Sequence, residues 1–210
     1  MKKLVFTICA IFLVTGLMAQ DDLMIEQIKN AGPAFFPELS ASNNVIIGQS
    51  GSRNKVNVDQ LHSKILPLSN DVVSLQDGIY NEAELIQNGS GNYSLSVQFG
   101  SNNKLYLEMR GNMNAAATNQ IGSDNSIYEL IEGNRNVTEI YQFGSNNSVQ
   151  TDLIGDGNYP ILNDGFPIVQ YGNDNHISIK ENQPGNMGIM IEQKGSGMEL
   201  RIENSNIYKK

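Results

Sequence analysis

The chain has 210 residues, a formal charge of −8 at pH 7, 17% charged residues and no tryptophan. The acidic balance argues against nucleic acid or an anionic lipid surface as a default partner, and Cys9, the only cysteine, leaves no disulfide framework. Abundant Gly, Asn and Ser make the composition too polar for an ordinary globular core, yet their order is too regular for disorder.

Residues 1–19 read as a secretory (Sec) signal peptide: Lys2 and Lys3 form a basic start, Leu4 to Met18 an apolar run, and Leu17-Met18-Ala19 a loose cleavage site before Gln20. That run is shorter than the roughly 20 residues of a membrane span, and Asp21 and Asp22 follow at once. Cleavage near Ala19 is therefore expected, leaving a secreted product with no transmembrane segment, no thiol and a formal charge of about −10 once Lys2 and Lys3 are gone. Residues 20–42, with Pro33 and Pro37, lack any period and read as an N-terminal arm, flexible or used in targeting.

From Gln76 to Asn158 one phrase returns every 11 residues: Gln or an apolar residue, then Gly two positions on, then Asn five positions on. Glycine falls at Gly78, Gly89, Gly100, Gly111, Gly122, Gly133, Gly144 and Gly155, and asparagine at Asn81, Asn92, Asn103, Asn114, Asn125, Asn136, Asn147 and Asn158. A period this strict predicts a solenoid whose units bury themselves only against their neighbours. Between each Asn and the next Gln the residues alternate in character, so each unit reads as a strand of about seven residues closed by a four-residue turn. In Asn81 to Gln87, alternation sends Asn81, Ala83, Leu85 and Gln87 inward and Glu82, Glu84 and Ile86 outward. The Gly after the Gln, and the Asn at the strand start, suit positions with φ > 0.

The same pattern recurs at Asn43 to Gln49, Asn54 to Gln60, Asn70 to Gln76, Asn175 to Glu181 and Met198 to Asn204, giving 13 or 14 strands between residues 43 and 206. Extra residues around Leu61 to Ser69, with Pro67, and at Tyr159 to Pro167 break the register. A one-residue slip between Asn186 and Gln193 fits a bulge.

Two such strands make one coil, so the stacking period is 22 and the Gln column splits in two. Gln76, Gln98, Gln120 and Gln142 form one unbroken set; Gln87, Met109, Ile131 and Leu153 form the other, in which the amide gives way to apolar side chains, and Gln49, Gln60, Gln170 and Gln193 hold the same place in strands outside the regular block. Small interior residues (Ser94, Ser96, Ala116, Thr118) lie on one strand and large ones (Leu105, Leu107, Ile127) on the next, which fills a narrow interior without voids. Strands about 4.8 Å apart let each buried Gln or Asn amide donate to its copy in the next coil, in place of disulfides. The end coils then carry open β-edges, a template for further strands. These Gln and Asn columns and the turn glycines are the candidate polymerisation residues.

The phrase Ser/Asn-x5-Gln-x-Gly-x2-Asn-x5-Gln resembles the repeat of the curlins, subunits of bacterial curli amyloid fibres, from Asn43 to about Asn204. The resemblance implies an all-β, cross-β parallel solenoid, export by outer-membrane curli machinery, and cell-surface fibres in adhesion and biofilm. Its implied partners are further copies of the chain, a major curlin subunit, or both. Asn44 to Gly51 is similar to the opening repeat of the minor, nucleating subunit, and Ile189 to Gln193 with Met198 to Ile202 is similar to its terminal repeats. The broken Gln column and the two insertions depart from the regular repeats of a major subunit, and of the minor subunit's final basic residues only Lys194, Arg201, Lys209 and Lys210 remain.

Other chemistry finds less support. The inward carboxylates Glu129 and Glu181 are too far apart in the repeat for paired acid–base work, and Glu129 reads as a strained or rim-exposed position. His62 and His176 stand singly and read as surface residues rather than ligands. Turns with Asp124, Asp156 and Asp174 invite calcium, but each supplies one carboxylate. No catalytic, cofactor or metal site is expected. Tyr106 and Tyr128, and Phe99, Ile121 and Phe143, stand 22 apart and read as outward ladders. They also leave open a monomeric β-solenoid surface adhesin or carbohydrate-binding protein as the alternative.

Overall fold

The structure is a computed structural model that describes residues 20–21, 24–27, 43–62, 68–157, 168–182 and 191–204. The signal peptide, most of the arm, and the extra residues at Pro67, at Tyr159 to Pro167 and between Asn186 and Gln193 lie outside them. Every described element is a strand. In chain order these are β1 (Gln20–Asp21), β2 (Met24–Gln27), β3 (Asn44–Ser52), β4 (Lys55–His62), β5 (Asp71–Ile79), β6 (Glu82–Gly89), β7 (Tyr93–Ser101) and β8 (Lys104–Arg110). They continue as β9 (Ala115–Ser123), β10 (Ser126–Glu132), β11 (Val137–Ser145), β12 (Ser148–Ile154), β13 (Ile168–Asn173), β14 (His176–Asn182), β15 (Ile191–Ser196) and β16 (Glu199–Asn204).

Odd strands form one sheet, A, in the order β1-β3-β5-β7-β9-β11-β13-β15, and even strands form the other, B, ordered β2 to β16. All pairs are parallel. A chain that alternates between two sheets while each sheet grows in sequence order is a parallel β-solenoid of two-strand coils. Register holds at 22 through the regular block, as in Gln98↔Gln120 and Leu105↔Ile127. It absorbs the insertions as Gln49↔Gln76, Gln142↔Gln170 and Gln170↔Gln193. The extra residues therefore leave the ladder without shifting a strand to its other face.

Alternation sets the core. Asn81, Ala83, Leu85 and Gln87 are all buried, while Glu82, Glu84 and Ile86 between them stay half-exposed. Sheet B contributes Val56, Leu85, Leu105, Leu107, Ile127 and Ile177 to the interior, and sheet A opposes them with Ser74, Ser94, Ser96, Ala116 and Thr118. The large face opposite the small one lets the sheets meet closely enough for the amides between them to reach across.

The turns differ from the expected four residues. The sheet A strand runs through its glycine to residue 101, 123 or 145, leaving only two residues before sheet B; the return turns, such as Gly111 to Asn114, keep four. Nor do the strand-start asparagines take positive φ. That conformation belongs to the residue before each: Tyr80, Asn102, Met113, Asp124, Arg135, Asn146 and Asp174, at φ 56–59°. The asparagine is instead turned inward, where its amide bonds to the neighbouring coils. Within residues 20–42, where the sequence shows no period, β1 pairs with β3 through Gln20↔Gly51 and Asp21↔Ser52, and β2 pairs with β4 from Met24↔Lys55 to Gln27↔Val58.

Candidate functional site

The interior of sheet A carries one continuous chain of side-chain amides. Gln49 donates to Gln76 (2.5 Å), Gln76 to Gln98 (2.6 Å), Gln98 to Gln120 (2.8 Å), Gln120 to Gln142 (2.9 Å), Gln142 to Gln170 (2.9 Å) and Gln170 to Gln193 (3.1 Å). In every link Nε2 belongs to the N-terminal residue and Oε1 to the C-terminal one, so the ladder has a direction. From Gln76 on, the second N–H crosses to the first strand residue of sheet B: Gln98 to the Glu82 carbonyl and Gln120 to the Lys104 carbonyl, both at 3.0 Å. One side chain thus ties coil to coil and sheet to sheet.

On sheet B the ladder is a single rung, Gln60 to Gln87 at 2.7 Å. Gln87 turns its amide to the Asp71 carbonyl and Ser94 Oγ because its register partner is Met109, which offers no acceptor of use. Met109 and Ile131 continue the column as fully buried apolar side chains.

Asparagines build two further ladders at the coil corners. One runs Asn54, Asn81, Asn103, Asn125, Asn147, Asn175; in each link the later residue's backbone N–H donates to the earlier Oδ1, joined from Asn103 on by its Nδ2. The other runs Asn43, Asn70, Asn92, Asn114, Asn136. Apart from Asn43, whose Nδ2 donates to the Gln60 carbonyl, each Nδ2 also donates forward to a glycine carbonyl of the next coil, as Asn103 does to Gly122 at 3.0 Å and Asn114 to Gly133 at 2.9 Å. Donation from Asn to Asn runs opposite to that from Gln to Gln, so the two sets of amide dipoles oppose each other. Asn43, Asn54, Asn70 and Asn175 were read from the sequence as strand starts but not named among the candidate ladder residues; that shared place at the start of a strand is the signal that finds them.

The glycines serve the same stacking. A Cβ on Gly100 would lie 2.0 Å from the Gly122 carbonyl oxygen, and one on Gly111 1.9 Å from that of Gly133. The column is glycine because the next coil's backbone occupies the space, besides the positive φ at these sites.

The turn aspartates have partners. Asn102 donates to Asp124 (2.9 Å), Asn146 to Asp174 (2.6 Å), and the Asn134 backbone and side chain both donate to Asp156. These exposed amide–carboxylate ladders answer the calcium reading with another role, and among the described residues no three His, Cys, Asp or Glu side chains come together. Tyr106 stacks on Tyr128 with centroids 4.9 Å apart, as the spacing foresaw; Phe99, Ile121 and Phe143 stand in register as expected, and Phe143 also stacks on Tyr171 at 5.0 Å, a partner the spacing of 22 did not name. The Tyr106 hydroxyl is pushed up to about 12 by partial burial and by its hydrogen bond to Glu108.

Glu129 departs from expectation. It is neither at a rim nor exposed: its side chain is 0% accessible, between Leu107 and Thr151 in register, and neither carboxylate oxygen has a hydrogen-bond partner. Burial pushes its carboxyl up to about 7; the Thr138 hydroxyl lies near enough to offset part of that rise, although the two make no formed hydrogen bond. Glu181 sits in the Leu153 column of sheet B and not in that of Glu129, so the two do not pair.

The family model of the curlin associated repeat matches residues 81–108, from the corner asparagine before β6 to the middle of β8. This segment is a curlin associated repeat. The matched segment holds one full coil of the corner ladder, Asn81 to Asn103, with Gln87 and Gln98 of the two sheets, and the same contacts continue on either side of it. No curated protein and no solved structure matches the chain. Among the described residues no helix is long and apolar enough to cross a membrane.

Proposed function

We propose that this chain is a secreted subunit of extracellular amyloid that stacks end to end on further copies, and that it seeds fibres of a major curlin in the manner of a minor subunit. The observation that carries the reading is the direction of the sheet A ladder. At its N-terminal end Gln49 Oε1 is shielded and has no donor. At its C-terminal end Gln193 spends one N–H on the His176 carbonyl at 3.5 Å and has no next glutamine among the described residues. An unused acceptor at one end and a donor at the other are complementary, so Gln193 of one copy can continue the ladder into Gln49 of the next. Among the described residues β15 and β16 are the last strands of their sheets, which supports an edge suited to templating. Signal cleavage near Ala19, passage through outer-membrane curli export machinery and a place at the cell surface in adhesion and biofilm complete the proposal.

The test is to incubate the purified chain with a dye specific for cross-β structure, alone and as a seed for a major curlin. Fibres, or a shortened lag of the partner, are expected. Substituting Gln193→Leu or Gln49→Leu should slow elongation while leaving the monomer's circular dichroism unchanged. Persistent monomer with no seeding would overturn the reading. A monomeric surface adhesin or carbohydrate-binding protein is the second reading, favoured by β1 and β2, which lie along the N-terminal edge and cover part of it.

A further inference from the structure

The two ends of the solenoid match in more than their glutamines. On sheet A the columns that begin at Ile47, Gln49, Gly51 and Ser52 of β3 end at Ile191, Gln193, Gly195 and Ser196, so β15 repeats β3 at four of its six positions. Gly195 differs from the glycines before it. A Cβ on Gly51, Gly78, Gly100, Gly122, Gly144 or Gly172 would lie 1.8–2.0 Å from the carbonyl oxygen of the next glycine in the column. On Gly195 it would meet nothing nearer than Met198 Cε, at 3.7 Å, among the described residues. The space that a glycine carbonyl fills after each of those six is open at this edge. Inward apolar side chains of the end coils lack cover as well: Ile47 at one end, and Leu200 and Ile202 at the other, are only partly buried against the core. On sheet B the columns that begin at Lys55, Val56 and Val58 of β4 end at Glu199, Leu200 and Ile202 of β16.

We propose, on the basis of end-to-end stacking, that the junction is in register: β15 and β16 of one copy seat on β3 and β4 of the next as one coil follows another within the chain. Gln193 then meets Gln49, Ile191 meets Ile47, and the open space at Gly195 receives the Gly51 carbonyl. Three features select this partner and this register. The vacancy at Gly195 has the place of a glycine carbonyl in a parallel strand, and β3 carries Gly51 in that column. A slip of one residue would turn Ile47 and Gln49 to the outer face, and a slip of two would set Gln193 against Ile47 or Gly51, which have no side-chain amide. On sheet B the same register brings Glu199 beside Lys55, opposite charges that favour it. Its one like-charged match, Glu203 over Asp59, is offset by Arg201, which pairs with Glu203. Strands β1 and β2, which hold Gly51, Ser52 and Lys55 to Val58 in the single copy, leave that edge to the incoming coil.

The column of Ser52 and Ser196 supplies the test. Within the chain it brings Ser123 Oγ to 3.1 Å from Ser145 Oγ, so cysteines in this column reach each other across one coil step. In a Cys9→Ser background, fibres of Ser52→Cys/Ser196→Cys oxidised with glutathione disulfide should give a covalent series of dimers, trimers and longer chains on denaturing, non-reducing electrophoresis. Either single variant, whose cysteines stay a whole chain apart, should give only monomer, and so should Ser52→Cys/Lys194→Cys, displaced two residues along the strand. Adding Gly195→Ala should abolish the series, while Gly197→Ala, also at positive φ but facing open space, should leave it. Fibres without the series, fibres linked equally by the Lys194→Cys pair, or a series unchanged by Gly195→Ala would overturn the register and leave end-to-end stacking standing. A wild-type chain that forms no dye-positive fibres would overturn both.

Discussion

Glu129 stands in a column that otherwise reads Leu85, Leu107, Thr151 and Ile179, and its carboxyl has no partner to make it worth ionising there. The inward residues of β8, β9, β11 and β12, Leu107, Thr118, Thr138, Ile140 and Thr151 among them, include no titratable group, so desolvation, offset in part by the Thr138 hydroxyl, governs its protonation. The folded-state value is raised from 4.5 to about 7, so the folded chain binds the proton more tightly than the unfolded one. Its stabilising contribution is full below about pH 4.5, falls between about 4.5 and 7, and is gone above about 7, a loss on the order of 3 kcal/mol. Urea midpoints measured from pH 4 to 8.5 should fall across that window in the wild type and stay flat in Glu129→Gln and Glu129→Leu. Glu139→Gln, removing an outward carboxylate, should keep the wild-type slope; an equal slope in Glu129→Gln would refute the assignment. The glycine column makes the other residue-scale case. Gly100→Ala places a Cβ 2.0 Å from the Gly122 oxygen at φ 112° and should cost roughly 2–5 kcal/mol. Gly197→Ala meets nothing within 4 Å and, at φ 68°, should cost only about 1 kcal/mol by chemical unfolding.

At the scale of the element, the strands were legible because two independent signals coincide: alternation assigns each side chain a face, and the 22-residue period assigns it a neighbour. Gln76, Gln98, Gln120 and Gln142 hydrogen-bond in the order their spacing implies. The turns were less legible, since a period of 11 counts residues without saying how many belong to the strand. After Gln98 the chain stays paired through Gly100 and Ser101, whereas after Met109 pairing stops at Arg110. The positive φ was assigned to the strand-start asparagine on propensity. Yet Asn103 gains more from burying its amide against Asn81 and Gly122, which leaves the left-handed position to Asn102 beside it. Burial of Glu129 was concealed for a different reason: alternation placed it inward, but intrinsic cost argued that a lone acid would escape. The strand is held by the seven others of its sheet, and a single side chain cannot move it to the rim.

For the whole molecule, the decisive asymmetry is between its two ends. The C-terminal end presents β15 and β16 with no further strand among the described residues. The N-terminal end presents β3 and β4 with β1 and β2 already paired to Gly51, Ser52 and Lys55 to Val58, while Asn44 to Ser50 have no strand partner on that side among the described residues. Short strands laid on an edge are a recognised means of blunting it. The sequence hid this because six residues without a period carry no alternation to read, and only the stacking partner shows that they pair. If the N-terminal coil is so covered, wild-type fibres should elongate faster from the C-terminal end, where Gln193 and both edges are free to template. Deleting residues 1–27 should remove the cover, shorten the lag of dye-monitored assembly and bring the rate at the N-terminal end up toward that of the other. Seeds labelled at one end and followed by time-resolved atomic force microscopy read the two rates separately. Equal rates in the wild type, or a truncated chain with an unchanged lag and unchanged polarity, would show that β1 and β2 do not guard the edge.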